Sequence, residues 1–142
     1  MNLEAASIAR TWLGTPYHHQ ARVKGVGVDC AQLMLGIAEE LRVVQQGIIV
    51  DSYTMEWHLH NREERMINLL LQFGCTEIET PEIGDILAFK FGRVCSHLGI
   101  YIGDQQFIHA RLDVKSVVLN TLSGDWLQSH KRTFSFPTEQ IR

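Results

Sequence analysis

The chain has 142 residues, 45% hydrophobic and 20% charged, with 13 Lys and Arg against 16 Asp and Glu, a formal balance of −3. That length fits one globular domain spanning 1–142, with enough apolar side chain to bury a core, and it excludes a disordered chain. The lack of a basic surplus argues against nucleic acid, no apolar run approaches a membrane span, and three cysteines without a Cys-x-x-Cys pair exclude disulfide frameworks and cysteine-rich zinc folds.

The first residues, Met1-Asn2-Leu3-Glu4, lack the basic and apolar regions of a secretory signal, so synthesis in the cytoplasm is expected. Leu3 to Leu13 reads as a short amphipathic helix ended by Gly14-Thr15-Pro16. Tyr17 to Val28 holds Gly25 and Gly27 without helical periodicity and reads as a loop. Asp29 then fits an N-cap, and Cys30 to Val43 runs helical with Leu33, Met34, Ile37, Ala38 and Leu41 on one side. Arg62 to Phe73 is a second amphipathic helix, stopped by Gly74. After Pro81 the pattern alternates. Asp85–Phe91, His97–Ile102, Gln106–Arg111, Lys115–Thr121 and Arg132–Phe136 make about five strands. Helices first and an antiparallel sheet second define an α+β fold.

Cys30 is the most informative position. At the first turn of a helix, unpaired amides and the helix dipole favour a thiolate. Asp29 pushes the other way by like-charge repulsion, so a nearby imidazolium is needed to complete the activation. His97 is the best candidate. The apolar members Leu98, Ile100 and Ile102 take one face of its strand, leaving His97, Gly99 and Tyr101 on the other. His109 follows in the next strand. A two-residue Gly103-Asp104 turn would pair His97 with Ala110 and send the two histidines to opposite faces. A three-residue Ile102-Gly103-Asp104 loop, or a bulged equivalent, puts them together; this second register, with His97 opposite His109, is the favoured one. His109 would then hold the His97 ring in one tautomer, as the third member of a nucleophile–base–orienter set.

Gly14-Thr15-Pro16-Tyr17, Asp29-Cys30, Ile83-Gly84-Asp85, His97-x-Gly-Ile-Tyr-Ile-Gly103 and Phe107-Ile108-His109-Ala110 occur in this order, and together they resemble the NlpC/P60 family of cell-wall cysteine peptidases. The resemblance covers about Gly14 to Ala110 and implies a papain-like α+β fold, its cysteine at a helix start packed on an antiparallel sheet. It implies Cys30 as nucleophile, His97 as base and His109 as the ring-orienting residue. Tyr17 matches a tyrosine whose hydroxyl lies near the nucleophile and oxyanion site. Asp29 matches an acidic position that in some members helps bind a free stem-peptide amine. The implied substrate is a peptidoglycan stem peptide, cut at the bond between the γ-carboxyl of D-glutamate and the following diamino acid, with no cofactor. Two departures stand out. Ala31-Gln32 replaces the usual Ser-Gly, and a longer stretch from His18 to Gly27 replaces Trp-Gly-Gly. That stretch, with Tyr53-x-x-x-Trp57-His58-x-His60, is similar to a phage-type branch associated with tail assembly or tail tips. Phage tail proteins are therefore expected partners, and a virion or a secretion apparatus the expected route outward. Two other classes remain open: a tail structural or assembly module with little activity, and a papain-like acyltransferase or deamidating toxin.

Seven histidines invite a metal reading, with His18-His19, His58-x-His60, His97 and His109 as imidazoles and Cys30 or Cys95 as thiolate. Adjacent histidines rarely converge on one ion and no helical His-x-x-x-His is present, so no metal is expected. Cys95 shares strand parity with His97 and is a rival nucleophile, but it has no helix start to stabilise its anion. A packing or exposed role is expected for Cys95 and a structural one for Cys75. Tyr101 either lines or fills the cleft, and Trp12, Trp57 and Trp126 read as core or rim.

Overall fold

The computed structural model describes residues 1–49, 65–93 and 95–139. Tyr53, Trp57, His58 and His60 of the tail-branch signature, and the start of the helix expected from Arg62, lie outside the described residues.

Helix α1 (Leu3–Thr11) begins where the Asn2 side chain accepts the Ala5 N–H. It buries small residues, Ala5, Ala6 and Ala9, so its axis can approach the central helix α2 (Cys30–Glu40) closely. Just past α1, the indole of Trp12 packs against Gly36 of α2, where a Cβ would sit 2.5 Å from the ring. The indole N–H donates to Glu40 at 2.8 Å and Lys24 lies over the ring, which fixes the angle between the helices. Between these helices the expected loop contains a small ribbon, β1 (Arg22–Val23) with β2 (Gly27–Val28). Helix α2 ends three residues earlier than Val43, and Arg42 takes a left-handed conformation just past the end (φ 62°). Helix α3 (Arg65–Gln72) buries Met66, Ile67 and Leu70.

A six-stranded antiparallel sheet follows: β3 (Thr76–Ile78), β4 (Ile86–Lys90), β5 (Cys95–Gly103), β6 (Gln106–Arg111), β7 (Ser116–Thr121) and β8 (His130–Ser135), in spatial order β3-β8-β4-β5-β6-β7. The edge strand β3 adds one to the five expected; at three residues it is too short to show an alternating pattern. A short helix α4 (Gly124–Ser129) also goes beyond expectation, and it packs on β4 and β8. The sheet is buried on both faces. Leu98, Ile100, Ile108, Ile86 and Phe134 join Leu33, Ile37, Ile67 and Leu70 beneath the long helices. On the far face Leu87, Phe89, Phe107 and Leu122 form a second cluster, packed by Tyr101 and Trp126.

Two irregularities in β5 decide which side chains share the site. Phe89 pairs with His97 but Lys90 pairs with Cys95, so Ser96 is bulged out and the side-chain alternation resets. Cys95 therefore joins the helix-side core at 2% exposure, and the parity with His97 expected from the sequence does not hold. At the other end Tyr101 pairs with Phe107 and Gly103 with Gln106, which leaves Ile102 unpaired and Asp104-Gln105 as the turn. Both turn residues have positive φ, 52° and 58°, as a type I′ hairpin requires.

Candidate active site

Asp29 organises the start of α2. It is 1% exposed; its Oδ1 accepts the Gln32 N–H at 2.9 Å and its Oδ2 the Gln20 N–H at 2.6 Å. His19 Nδ1 lies 3.6 Å from the same Oδ2. Gln20 adopts φ 63° to deliver its amide, so the long stretch after Tyr17 is folded back and tied to the helix cap. In this structure the Asp29 carboxylate caps α2 and ties down the loop after Tyr17.

Cys30 is the first residue of α2 and is partly exposed. Backbone amides of Leu98, Ala31 and Cys30 itself point at the sulfur. The Leu98 amide is the informative one, because it belongs to the peptide that joins His97 to Leu98. The β5–β6 ladder runs only from Ile100↔Ile108 to Gly103↔Gln106, and α2 packs against both strands. The thiol thus lies against the half of β5 from which the His97 side chain springs. Tyr17 is held by its bridge to Val28 and by donating its N–H to Lys115 O at 3.0 Å. Its phenol is pushed well above the ordinary value by burial, then by Cys30 and Asp29, which locates it in the field of both.

The electrostatics differ from the expected thiolate. Burial, and secondarily the Asp29 charge, push the Cys30 thiol up to about 12, against the lowering by the three amides. Burial drives the His97 imidazole down to about 3, helped by His109 and Arg111, and His109 down to about 4. Burial and the helix-start amides thus pull the Cys30 thiol in opposite directions, and burial is the larger influence.

The two histidines do share a face, by the bulged route. Continuing the ladder places His109 across from Gly99, so His97 is its diagonal neighbour and not its direct partner. Gly99 makes this possible, since a Cβ there would stand 2.9 Å from Phe107 Cδ2 and 3.3 Å from His109 Cβ. His97 Nε2 and His109 Nδ1 are 2.7 Å apart. His109, 0% exposed, reaches on through Nε2 to Asn120 Oδ1 at 2.7 Å, and Arg111 Nη1 donates to the same oxygen at 3.4 Å. Trp126 stands edge-on to His109 with centroids 4.7 Å apart, and Phe89 and Phe91 flank His97. Arg111 lies over the Trp126 ring, and its guanidinium also pairs with Asp113.

Cys30, Asp29 and Tyr17 are thus gathered at one place, His97 and His109 are coupled to each other across β5 and β6, and Cys95 is turned into the helix-side core. Tyr101 accepts the Gln105 N–H at 3.2 Å and braces the β5–β6 turn. Asn120, Arg111 and Trp126 were not legible as site residues. Strand parity could have found Asn120: Val118 pairs with His109, and Asn120 is two residues on, on the same face. Among the described residues, no group of three or more His, Cys, Asp or Glu side chains is arranged to hold a metal ion.

A helix-start cysteine against an antiparallel sheet that carries a coupled histidine pair defines a cysteine-peptidase-type α+β domain. The chain belongs to the NlpC/P60 family, whose model matches residues 14–135. Solved structures similar to it include NlpC1 from Trichomonas vaginalis (23% identity, 93% of this chain and 42% of that one, TM-score 0.60). The NlpC/p60 domain of the peptidoglycan hydrolase SagA is also similar (17% identity, 96% and 99% covered, TM-score 0.62). So is the peptidoglycan hydrolase RipB from Mycobacterium tuberculosis (12% identity, 97% and 64% covered, TM-score 0.56). The chain spans less than half the length of NlpC1 and NlpC2 from T. vaginalis. No curated protein matches the sequence.

Proposed function

We propose that the chain is a cysteine peptidase that cuts stem peptides of peptidoglycan, at the bond between the γ-carboxyl of D-glutamate and the following diamino acid. The observation that carries the reading is the Cys30 sulfur lodged at the His97–Leu98 peptide, where a helix begins and a tyrosine hydroxyl is near. Family membership and the similarity to peptidoglycan hydrolases support the substrate class. In this mechanism the Cys30 thiol gives its proton to His97 as sulfur forms a bond to the scissile carbonyl carbon. The Cys30 N–H and the Tyr17 hydroxyl face the developing oxyanion, each donor contributing about 3 kcal/mol. His97 then passes the proton to the departing amine as the C–N bond breaks, and afterwards takes one from the water that releases the acyl group.

Purified protein incubated with isolated sacculi, and with a synthetic alanyl-γ-glutamyl-diamino acid peptide, is expected to yield fragments ending at the glutamyl carboxylate. Mass spectrometry detects them. Cys30→Ala and His97→Ala variants of unchanged melting temperature should yield none. Folded wild-type protein that releases no fragment from either substrate overturns the proposal.

A further inference from the structure

The polar chain behind His97 has a direction that can be read from its end. Arg111 is a donor only, so the Asn120 atom facing its Nη1 is the amide oxygen. That oxygen also meets His109 Nε2 at 2.7 Å, and an oxygen acceptor there requires His109 to carry its hydrogen on Nε2. A neutral His109 then has a bare Nδ1. This nitrogen faces His97 Nε2 at 2.7 Å, so the His97 hydrogen must lie on Nε2. The remaining ring nitrogen, His97 Nδ1, is left with its lone pair free for a proton. Arg111 is itself held in place by the Trp126 ring and by Asp113, and Trp126 presses edge-on against His109. The polarity of the chain is thus set at β7, two strands away from β5, which carries His97.

We propose that Asn120 is a positioning residue of this site: its amide oxygen, fixed by Arg111, locks His109 and His97 as Nε2–H tautomers and reserves His97 Nδ1 as the base. The inference rests on the peptidase reading for its kinetic consequence, but not for its structural one. Without the oxygen, His109 gains nothing from an Nε2 hydrogen and can move it to Nδ1, where it would meet the His97 Nε2 hydrogen head-on. The His97 ring would then have to turn over or swing away, and the nitrogen offered to Cys30 would be the wrong one.

The test uses imidazole nitrogen-15 NMR of the full chain with Cys30→Ala, which needs no turnover, together with steady-state kinetics of the intact enzyme on the stem-peptide substrate. In the otherwise unchanged protein both His97 and His109 should report a hydrogen on Nε2 and none on Nδ1. Asn120→Leu should redistribute the His109 hydrogen and lower kcat at least about ten-fold at unchanged KM. Asn120→Asp keeps an acceptor in the same place, so it should retain both tautomers and hold kcat within about three-fold of the parent. If Asn120→Leu fails to fold, the parent spectrum and Asn120→Asp still decide the matter. A His109 hydrogen on Nδ1 in the parent overturns the proposal, as does loss of the tautomers in Asn120→Asp. An Asn120→Leu protein with unchanged tautomers and unchanged kcat also overturns it. The predicted tautomers in a protein that cleaves no stem peptide would sink the peptidase reading and leave the positioning role standing.

Discussion

Asp29→Asn separates two contributions of one buried carboxylate. Asn caps helices as well as Asp, and its Oδ1 can still accept the Gln32 N–H, so α2 should keep its start. On the other side an NH2 group would face the Gln20 N–H where Oδ2 now accepts it at 2.6 Å, setting donor against donor. Leaving that amide unsatisfied costs about 1–3 kcal/mol, enough to lower the melting temperature by several degrees. The thiol responds in the opposite sense. Asp29 is the second-largest influence raising the Cys30 pKa, after burial. A like charge close to a titrating group shifts it by about 1–3 pH units, and partial exposure of the site puts the Asp29 effect at the low end, about one unit. The assay is the second-order rate of Cys30 alkylation by iodoacetamide as a function of pH, with Cys75→Ser and Cys95→Ser in the background. Its inflection should move down by about one unit in Asp29→Asn while the melting temperature falls. An inflection that stays in place or moves up would refute the electrostatic account, whatever happens to stability.

The histidine pair predicts a dependence on acid. Both imidazoles stay neutral in the folded chain down to pH values far below their ordinary range, while the unfolded chain takes up protons from about pH 6.5 downward. Stability should therefore be complete above about pH 7 and fall as the pH drops towards 4, by on the order of 3 kcal/mol per histidine. Urea midpoints measured across that range should show it, and a His97→Gln, His109→Gln protein should have a shallower slope. Gly36→Ala would bring a Cβ to 2.5 Å from the buried Trp12 ring and should destabilise by about 1–3 kcal/mol. Combining it with Trp12→Leu should cost less than the sum of the two changes, as chemical denaturation can determine. Gly99→Ala would press on Phe107, the Ile108 carbonyl and His109 at 2.9–3.3 Å. It should reduce kcat by a larger factor than matching destabilisation elsewhere in the sheet does, because it spreads the two strands that bring the histidines together.

Local chemistry determined much of this protein in advance. Asp29 is a short polar acceptor ahead of an apolar helical stripe, so the cap and the position of Cys30 at the first turn followed from residues within one helical turn. Alternation along β5 assigned Leu98 and Ile100 to one face and His97 and Gly99 to the other, while the face of His109 hung on the turn. Tertiary structure decided what alternation cannot carry. A bulge shifts register by one residue without any mark in the period, so only the paired strands reveal that Ser96 turns Cys95 away and that Ile102 makes His97 diagonal to His109. The balance of influences on the Cys30 thiol was equally out of reach, because the helix start that favours its anion is local whereas burial, which opposes it, depends on what packs around it. Asn120 joins the site through a strand pair, since the hydrogen bonds that orient an imidazole depend on which neighbours the sheet supplies and not on sequence distance.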